Sequence, residues 1–304
     1  PRSKAKRKLL IGVLLGVAFA ANIGGTATII GTPPNVQMAA ILLENFNVSV
    51  TFFQWFKIGF PFMLIMLALT FLVLKLLFVP KELLLFNVSK PSKLTVNQQN
   101  VLFIFGFVVL LWMIHPIISS WTGILLDDTI VALFGGALLF IFPSSNKGRL
   151  LVWEDMQRIP WGILLLFGGG MALAKMLANA GVIKELVQLI MFNGNVAFWL
   201  LLLMVFALVL FATELMSNLA LVSLAIPLIG EMALALNLPI LYVCAGVALV
   251  SSCAFMLPIA TPPNAIIFSS KRITVSTMAK VGFILNLLTL FIVYFWINFW
   301  IKLG

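Results

Sequence analysis

Charge is the scarcest commodity in this chain: Asp and Glu number nine, and charged residues of both signs make up only 9% of 304. Soluble domains carry roughly 25% charged residues, so a water-soluble globule is excluded. There are two cysteines, Cys244 and Cys253, both in apolar runs, which excludes a disulfide scaffold and suits small packed hydrophobes. A single histidine, His115, cannot build a metal cluster. Its place beside Pro116 predicts a residue at a membrane boundary. With one histidine and one deep acid, Glu214, the chain lacks the parts for a membrane-embedded protease or lipid transferase, and is read as no enzyme. A passive anion channel would need a polar stripe along several helices, whereas only local polar islands occur.

What is present in excess is hydrophobicity: 62% apolar residues and a mean hydropathy of +1.17. At about 20 residues per crossing, the length allows roughly eight to ten membrane segments. The class is an all-α polytopic membrane protein whose main partner is membrane lipid. The net charge of +10 is then no sign of nucleic acid, which is excluded.

Charge-free runs place the spans: 9–43, 58–74 with an extension over 76–78 past Lys75, one within 94–126 that ends near His115-Pro116, then 129–146, 159–174, 186–213, 215–230, 232–270 and 281–301. Two are too long for one helix. As single helices, 9–43 and 232–270 would reach about 52 and 58 Å, against a hydrocarbon core near 30 Å. Each carries the same breaker. Gly31-Thr32-Pro33-Pro34-Asn35 matches Ala260-Thr261-Pro262-Pro263-Asn264 at four positions of five. Proline removes an amide donor and disfavours helix before it, so each run reads as a half-helix, an unwound TPPN link and a second half-helix. Downstream of each break stands Lys57-Ile58-Gly59-Phe60 or Lys280-Val281-Gly282-Phe283, opening the next span. A broken helix followed by a full span, twice, is the mark of an internal repeat.

Basic residues orient the chain. With the N-terminal end cytoplasmic and 197–236 a re-entrant hairpin, 15 Lys and Arg fall inside and only Lys57, Lys175, Lys184 and Lys302 outside. The C-terminus is then outside, in a plasma membrane of the bacterial inner-membrane kind. The two breaks cross in opposite directions, which makes an inverted-repeat transporter architecture. Unwound backbone persists in lipid where it lines a cavity: its freed carbonyls suit Na⁺, and half-helix N-termini suit an anion.

A further polar island runs from Thr213 through Glu214, Leu215, Met216, Ser217 and Asn218 to Leu219. It reads as the tip of the re-entrant hairpin, with Ser217 and Asn218 offering hydroxyl, amide and backbone donors. A plain helix cap between two spans is the competing reading. Glu214 is an intramembrane acid, hence a functional suspect. We read it as a structural acceptor behind the hairpin, or else as a protonated group. Gly168-Gly169-Gly170 follows no strand and suits close helix packing rather than a phosphate loop. Asp127 and Asp128 fit a helix N-terminus, and 181–191 an interfacial amphipathic helix.

The motif from Ala20-Ala21-Asn22-Ile23-Gly24-Gly25-Thr26 through Thr32-Pro33-Pro34-Asn35 resembles the signature of the divalent anion:sodium symporters. Pro258-Ile259-Ala260-Thr261-Pro262-Pro263-Asn264-Ala265 resembles its second-repeat partner, and Thr213 to Leu219 the hairpin tip, which in that family usually reads Ser-Asn-Thr. The resemblance spans the whole chain. It implies a homodimeric, elevator-type carrier that couples Na⁺ to a small anion, most readily a C4 dicarboxylate and alternatively sulfate. It implies sodium ligands at Thr213, Asn218 and the carbonyls of Met216 and Ala260, with a further sodium at the Gly31 carbonyl. It places the anion at Ser217, Asn218 and Leu219, in a cavity shaped by Thr32, Pro33, Thr261 and Pro262. Leu219 stands where the family has threonine, removing a hydroxyl and shifting the burden to backbone amides. No first-repeat hairpin precedes the first break, so the chain is expected to be a C-terminal portion. Domains follow: 1–44 first broken helix, 45–196 scaffold, 197–270 hairpin and second broken helix, 271–304 final scaffold span.

Overall fold

The computed structural model describes residues 2–79, 93–123, 126–145, 148–158, isolated positions between 165 and 185, and 198–303. The expected span over 159–174 and the interfacial helix over 181–191 therefore lie outside the described residues as elements, as does Gly170. Among the described residues the structure is helical, with one isolated bridge between Pro143 and Arg149. Five helices are long and apolar enough to cross a membrane. The protein is an integral membrane protein.

Contacts divide the chain into two units. The first comprises 1–50, 54–84 and 166–304. It holds α1 (Arg2–Gly25), α2 (Pro33–Phe46), most of α3 (Phe52–Phe78), α6 (Phe198–Ala212), α7 (Asn218–Ala235), α8 (Ile240–Ser251), α9 (Pro262–Ser269) and α10 (Val275–Leu303). Both long runs break, but not quite where the prolines alone suggest. The unwound residues are 26–32 and 252–261, ahead of the Pro-Pro pairs. Thr32 and Thr261 are N-caps, and the prolines stand at the first two helical positions of α2 and α9. The reason is that an N-terminal amide has no intrahelical acceptor, so proline costs nothing there and presets φ. The expected run over 232–270 also starts differently. Its first residues finish α7, a turn through Asn237 (φ 54°) follows, and the half-helix proper begins at Ile240.

The broken helices cross: α1 packs against α9, and α2 against α8. At the centre lies α8, buried continuously from Val243 to Ser251 and touching α2, α6, α7 and α10. A helix apolar on all sides is expected to be enclosed in this way. The hairpin arms α6 and α7 barely touch each other; α6 lies on α8 and α10, α7 on α2 and α8.

The Lys-x-Gly-Phe recurrence has a packing cause. A Cβ on Gly59 would strike the carbonyl oxygen of Thr26, and one on Gly282 the carbonyl of Phe255. In each repeat, the span after the break presses its glycine onto the unwound backbone, where no side chain fits.

The second unit, 51–53 with 85–165, contains α4 (Val96–Thr122) and α5 (Asp128–Ile141). The helix of α4 does not end at His115-Pro116 but continues to Thr122. His115 closes the apolar stretch Val96–His115 that is long enough to cross a membrane, and it is buried there at 5% exposure. Its Nε2 lies 2.8 Å from Asp128 Oδ1 and its Nδ1 3.0 Å from the Leu126 carbonyl. Asp128 Oδ2 also accepts from the Phe52 amide at 2.8 Å. Asp127 caps α5, accepting from Ile130 N at 2.7 Å, as its position predicts.

Candidate anion and cation site

The two breaks are held by the last residue of each TPPN. Asn35 Nδ2 donates to the Thr28 carbonyl at 2.9 Å and the Gly25 carbonyl at 3.4 Å. Asn264 Nδ2 donates to the Leu257 and Ala254 carbonyls, each at 3.1 Å. The offsets, seven and ten residues back, are identical, so the repeat extends to hydrogen-bond register. Each asparagine is fully buried and satisfies carbonyls that the missing helix turn has left open.

The halves are also bonded to each other. From α1, Asn22 Nδ2 faces Thr261 Oγ1 at 3.1 Å, Asn264 Oδ1 at 3.2 Å and the Ala254 carbonyl at 3.3 Å. From the second break, Ser252 Oγ lies 3.0 Å from Thr32 Oγ1. Each helix cap of one repeat thus receives a polar side chain from the other.

Between them lies a cavity of about 180 Å³. Asn22, Gly31, Thr32, Pro33 and Pro34 line it from the first repeat, Asn218 from the hairpin, and Ser252, Thr261, Pro262 and Pro263 from the second. Its walls carry no charged side chain. A larger groove of about 400 Å³ between α1 and α3 is almost wholly apolar, with Lys75 as its one charged wall residue. The smaller cavity holds the chemistry.

Of the residues singled out in the sequence, Gly31, Thr32, Pro33, Asn218, Thr261 and Pro262 meet at this cavity. Thr213 is buried beside it: its Oγ1 lies 2.5 Å from Asn218 Oδ1 and 2.9 Å from the Ser251 carbonyl. These three oxygens share one hydroxyl proton, a surplus of hard acceptors that suits a cation such as Na⁺. Ala260 is half-buried in the second link. Met216 and Ser217 are exposed at the hairpin tip and do not line the cavity, and Ser217 caps α7 without a side-chain bond. Leu219 is buried at 4% exposure and off the cavity wall; its carbonyl accepts from Ser223.

Sequence reasoning missed Asn22 and Ser252. Both sit inside apolar stretches, and the available signal was a buried amide or hydroxyl nine or ten residues before each TPPN threonine. It also expected amide donors at both TPPN helix starts. Pro33, Pro34, Pro262 and Pro263 have no N–H, so α2 and α9 offer field and shape but few donors. The open first-turn amides belong to α7, at Asn218, Leu219 and Ala220.

Glu214 meets the structural-acceptor reading. Buried at 3% exposure, its Oε1 accepts from the amides of Phe255 and Met256 at 2.9 Å and from Asn286 Nδ2 at 2.8 Å. Its Oε2 accepts from the Leu257 amide at 3.0 Å.

Against known proteins, the family described as "Sodium:sulfate symporter transmembrane region" matches residues 1–304. The sodium-dependent dicarboxylate transporter SdcS of Staphylococcus saprophyticus is 31% identical over 295 residues, and that of Staphylococcus aureus strain USA300 34% over 296. Each alignment covers 92% of this chain and 57% of the relative, so the chain spans little more than half the length of those proteins. Matched from end to end by that family, the chain belongs to the sodium:sulfate symporters.

Proposed function

We propose that this chain carries the second-repeat site and the first broken helix of a sodium-coupled symporter for small divalent anions, most readily a C4 dicarboxylate and alternatively sulfate. The protein is a carrier and not an enzyme. The observation that supports this best is the convergence of three helix N-termini, those of α2, α7 and α9, on one uncharged cavity. Positive dipole ends and the free amides of α7 favour an anion, and the oxygen cluster of Thr213, Asn218 and Ser251 favours Na⁺ beside it. The bound cation supplies the positive charge that no Lys or Arg provides. The carbonyls of Met216 and Ala260 complete this cation site, and the Gly31 carbonyl contributes to a second. Thr32, Pro33, Thr261 and Pro262 shape the anion cavity, and Ser217, Asn218 and Leu219 bring the hairpin's first-turn amides to it. Dicarboxylate as cargo rests on the names of the staphylococcal relatives.

Residues 1–44 and 197–270 form the moving part of an elevator, 45–196 and 271–304 its scaffold, in a homodimer of the bacterial inner membrane. The N-terminal end is cytoplasmic and the C-terminus outside, since that orientation keeps most Lys and Arg within. Uptake of radiolabelled succinate or sulfate into proteoliposomes of the protein tests the reading. Uptake is expected with an inward Na⁺ gradient and lost when choline replaces Na⁺; uptake indifferent to that exchange overturns the coupling.

A further inference from the structure

The two breaks satisfy their backbone differently. With Thr32 and Thr261 aligned, Thr26 and Ala27 correspond to Phe255 and Met256. In the first link these amides close on their own helix: Thr26 N donates to the Ile23 carbonyl at 3.0 Å and Ala27 N to the Gly24 carbonyl at 3.2 Å. In the second link the amides of Phe255, Met256 and Leu257 all turn to the carboxylate of Glu214, which comes from the hairpin tip. The opening amides of the first break are met within their own helix, although Trp55 of α3 donates to the Thr26 carbonyl at 3.0 Å, whereas those of the second are met by another element.

Glu214 sits directly after Thr213, whose hydroxyl joins Asn218 and the Ser251 carbonyl. At the other end, Leu257 gives its amide to Glu214 and its carbonyl to Asn264, which lies beside Thr261 and receives Asn22. From the peptide bond that follows Thr213, hydrogen bonds therefore run through Glu214, Leu257 and Asn264 to Thr261, the cap of α9 on the cavity wall.

We propose that Glu214 is a positioning residue through which a cation held at the hairpin tip fixes the second link, and with it the anion-facing end of α9. This rests on the carrier reading above and adds the route by which cation occupancy reaches the anion site. The carboxylate suits the task because both oxygens only accept; four N–H donors converge on it, and a neutral amide would turn a donor towards at least one of them. The chain's own Cys253 reports on the link: it is wholly buried within it.

The test is the rate of maleimide labelling of Cys253, in a Cys244→Ala background of the full protein, with Na⁺ or with choline. In the parent, Na⁺ is expected to slow labelling. In Glu214→Gln, labelling becomes about tenfold faster, as a link loosened by about 1.4 kcal/mol would give, and no longer responds to Na⁺. Asp in place of Glu214 is too short to reach all three amides and does not restore the response. Retention of the Na⁺ response in Glu214→Gln overturns the proposal. Should that variant lose its monodisperse elution, Glu214→Asp decides: it keeps the charge but is too short to reach all three amides, and a full Na⁺ response there overturns the proposal equally. A parent indifferent to Na⁺ in labelling, yet Na⁺-dependent in uptake, overturns this route alone; indifference in both overturns the carrier reading with it.

Discussion

Asn22 and Thr261, 239 residues apart, are joined by a 3.1 Å hydrogen bond from the asparagine amide to the threonine hydroxyl that caps α9. This bond carries the first broken helix onto the helix start of the second, and Asn22 also fills the acceptor of Asn264. Removing it leaves buried acceptors unmet, at a cost of about 1–3 kcal/mol. Asn22→Ala is expected to raise the anion KM roughly tenfold, 1.4 kcal/mol being a factor of ten. Asn22→Asp should be worse than alanine, since it sets an oxygen against the Ala254 carbonyl and Asn264 Oδ1. Transport kinetics over a range of anion concentrations check the order.

Asn35 and Asn264 close the breaks in the same register, but only Asn264 also receives a bond from the other repeat. Both alanine variants are expected to lower the midpoint of thermal unfolding in detergent, with Asn264→Ala lower than Asn35→Ala. Equal shifts would show that the crossing bond adds nothing.

Gly59 and Gly282 lie where a Cβ would meet link backbone, while Gly106 on α4 has no atom within 4 Å of that place. Gly59→Ala and Gly282→Ala are therefore expected to destabilise and to abolish uptake. Gly106→Ala should be neutral or slightly stabilising, because alanine favours helix by about 1 kcal/mol over glycine. Expression and melting of the three variants side by side give the comparison.

Asn218 supplies one of the clustered oxygens and belongs to the cavity wall. Asn218→Ala is expected to weaken Na⁺ activation and anion transport together, while elution and melting stay near those of the parent. Thr213→Val keeps the volume and removes the oxygen, and should raise the Na⁺ concentration for half-activation more than the anion KM. An unchanged Na⁺ requirement in both variants would refute the cation site.

In the second unit, half-buried Asp128 meets His115 and the Phe52 amide, whereas Asp127 only caps a helix. Asp128→Ala is expected to cost about 1–3 kcal/mol by leaving the His115 ring and the Phe52 amide unmet. The loss from Asp127→Ala should be distinctly smaller. Chemical unfolding of the two variants separates the roles.

The membrane class, both breaks, the hairpin tip and most of the cavity wall were readable because each rests on composition or on a local breaker that acts within a few residues. Proline at a helix start, glycine against backbone and an acid within an apolar stretch keep their physics whatever surrounds them. The passage of α4 through His115-Pro116 was not readable, since proline alone argues for an end. It takes the bonds of His115 to the Leu126 carbonyl in the connection and to Asp128 at the start of the next helix to show how that turn is held.

Sequence by itself determined that both long runs break at a TPPN, that Glu214 is an acid set among apolar residues, and that the broken helix recurs in the two halves. These follow from bonding capacities that each residue carries alone. Only the tertiary structure decided who meets whom: that Glu214 finds the amides of Phe255, Met256 and Leu257, that Asn22 reaches Thr261, and that Leu219 turns away from the cavity. Hydrogen bonds between distant segments leave no periodic trace along the chain, because their geometry exists only once the crossing helices have packed.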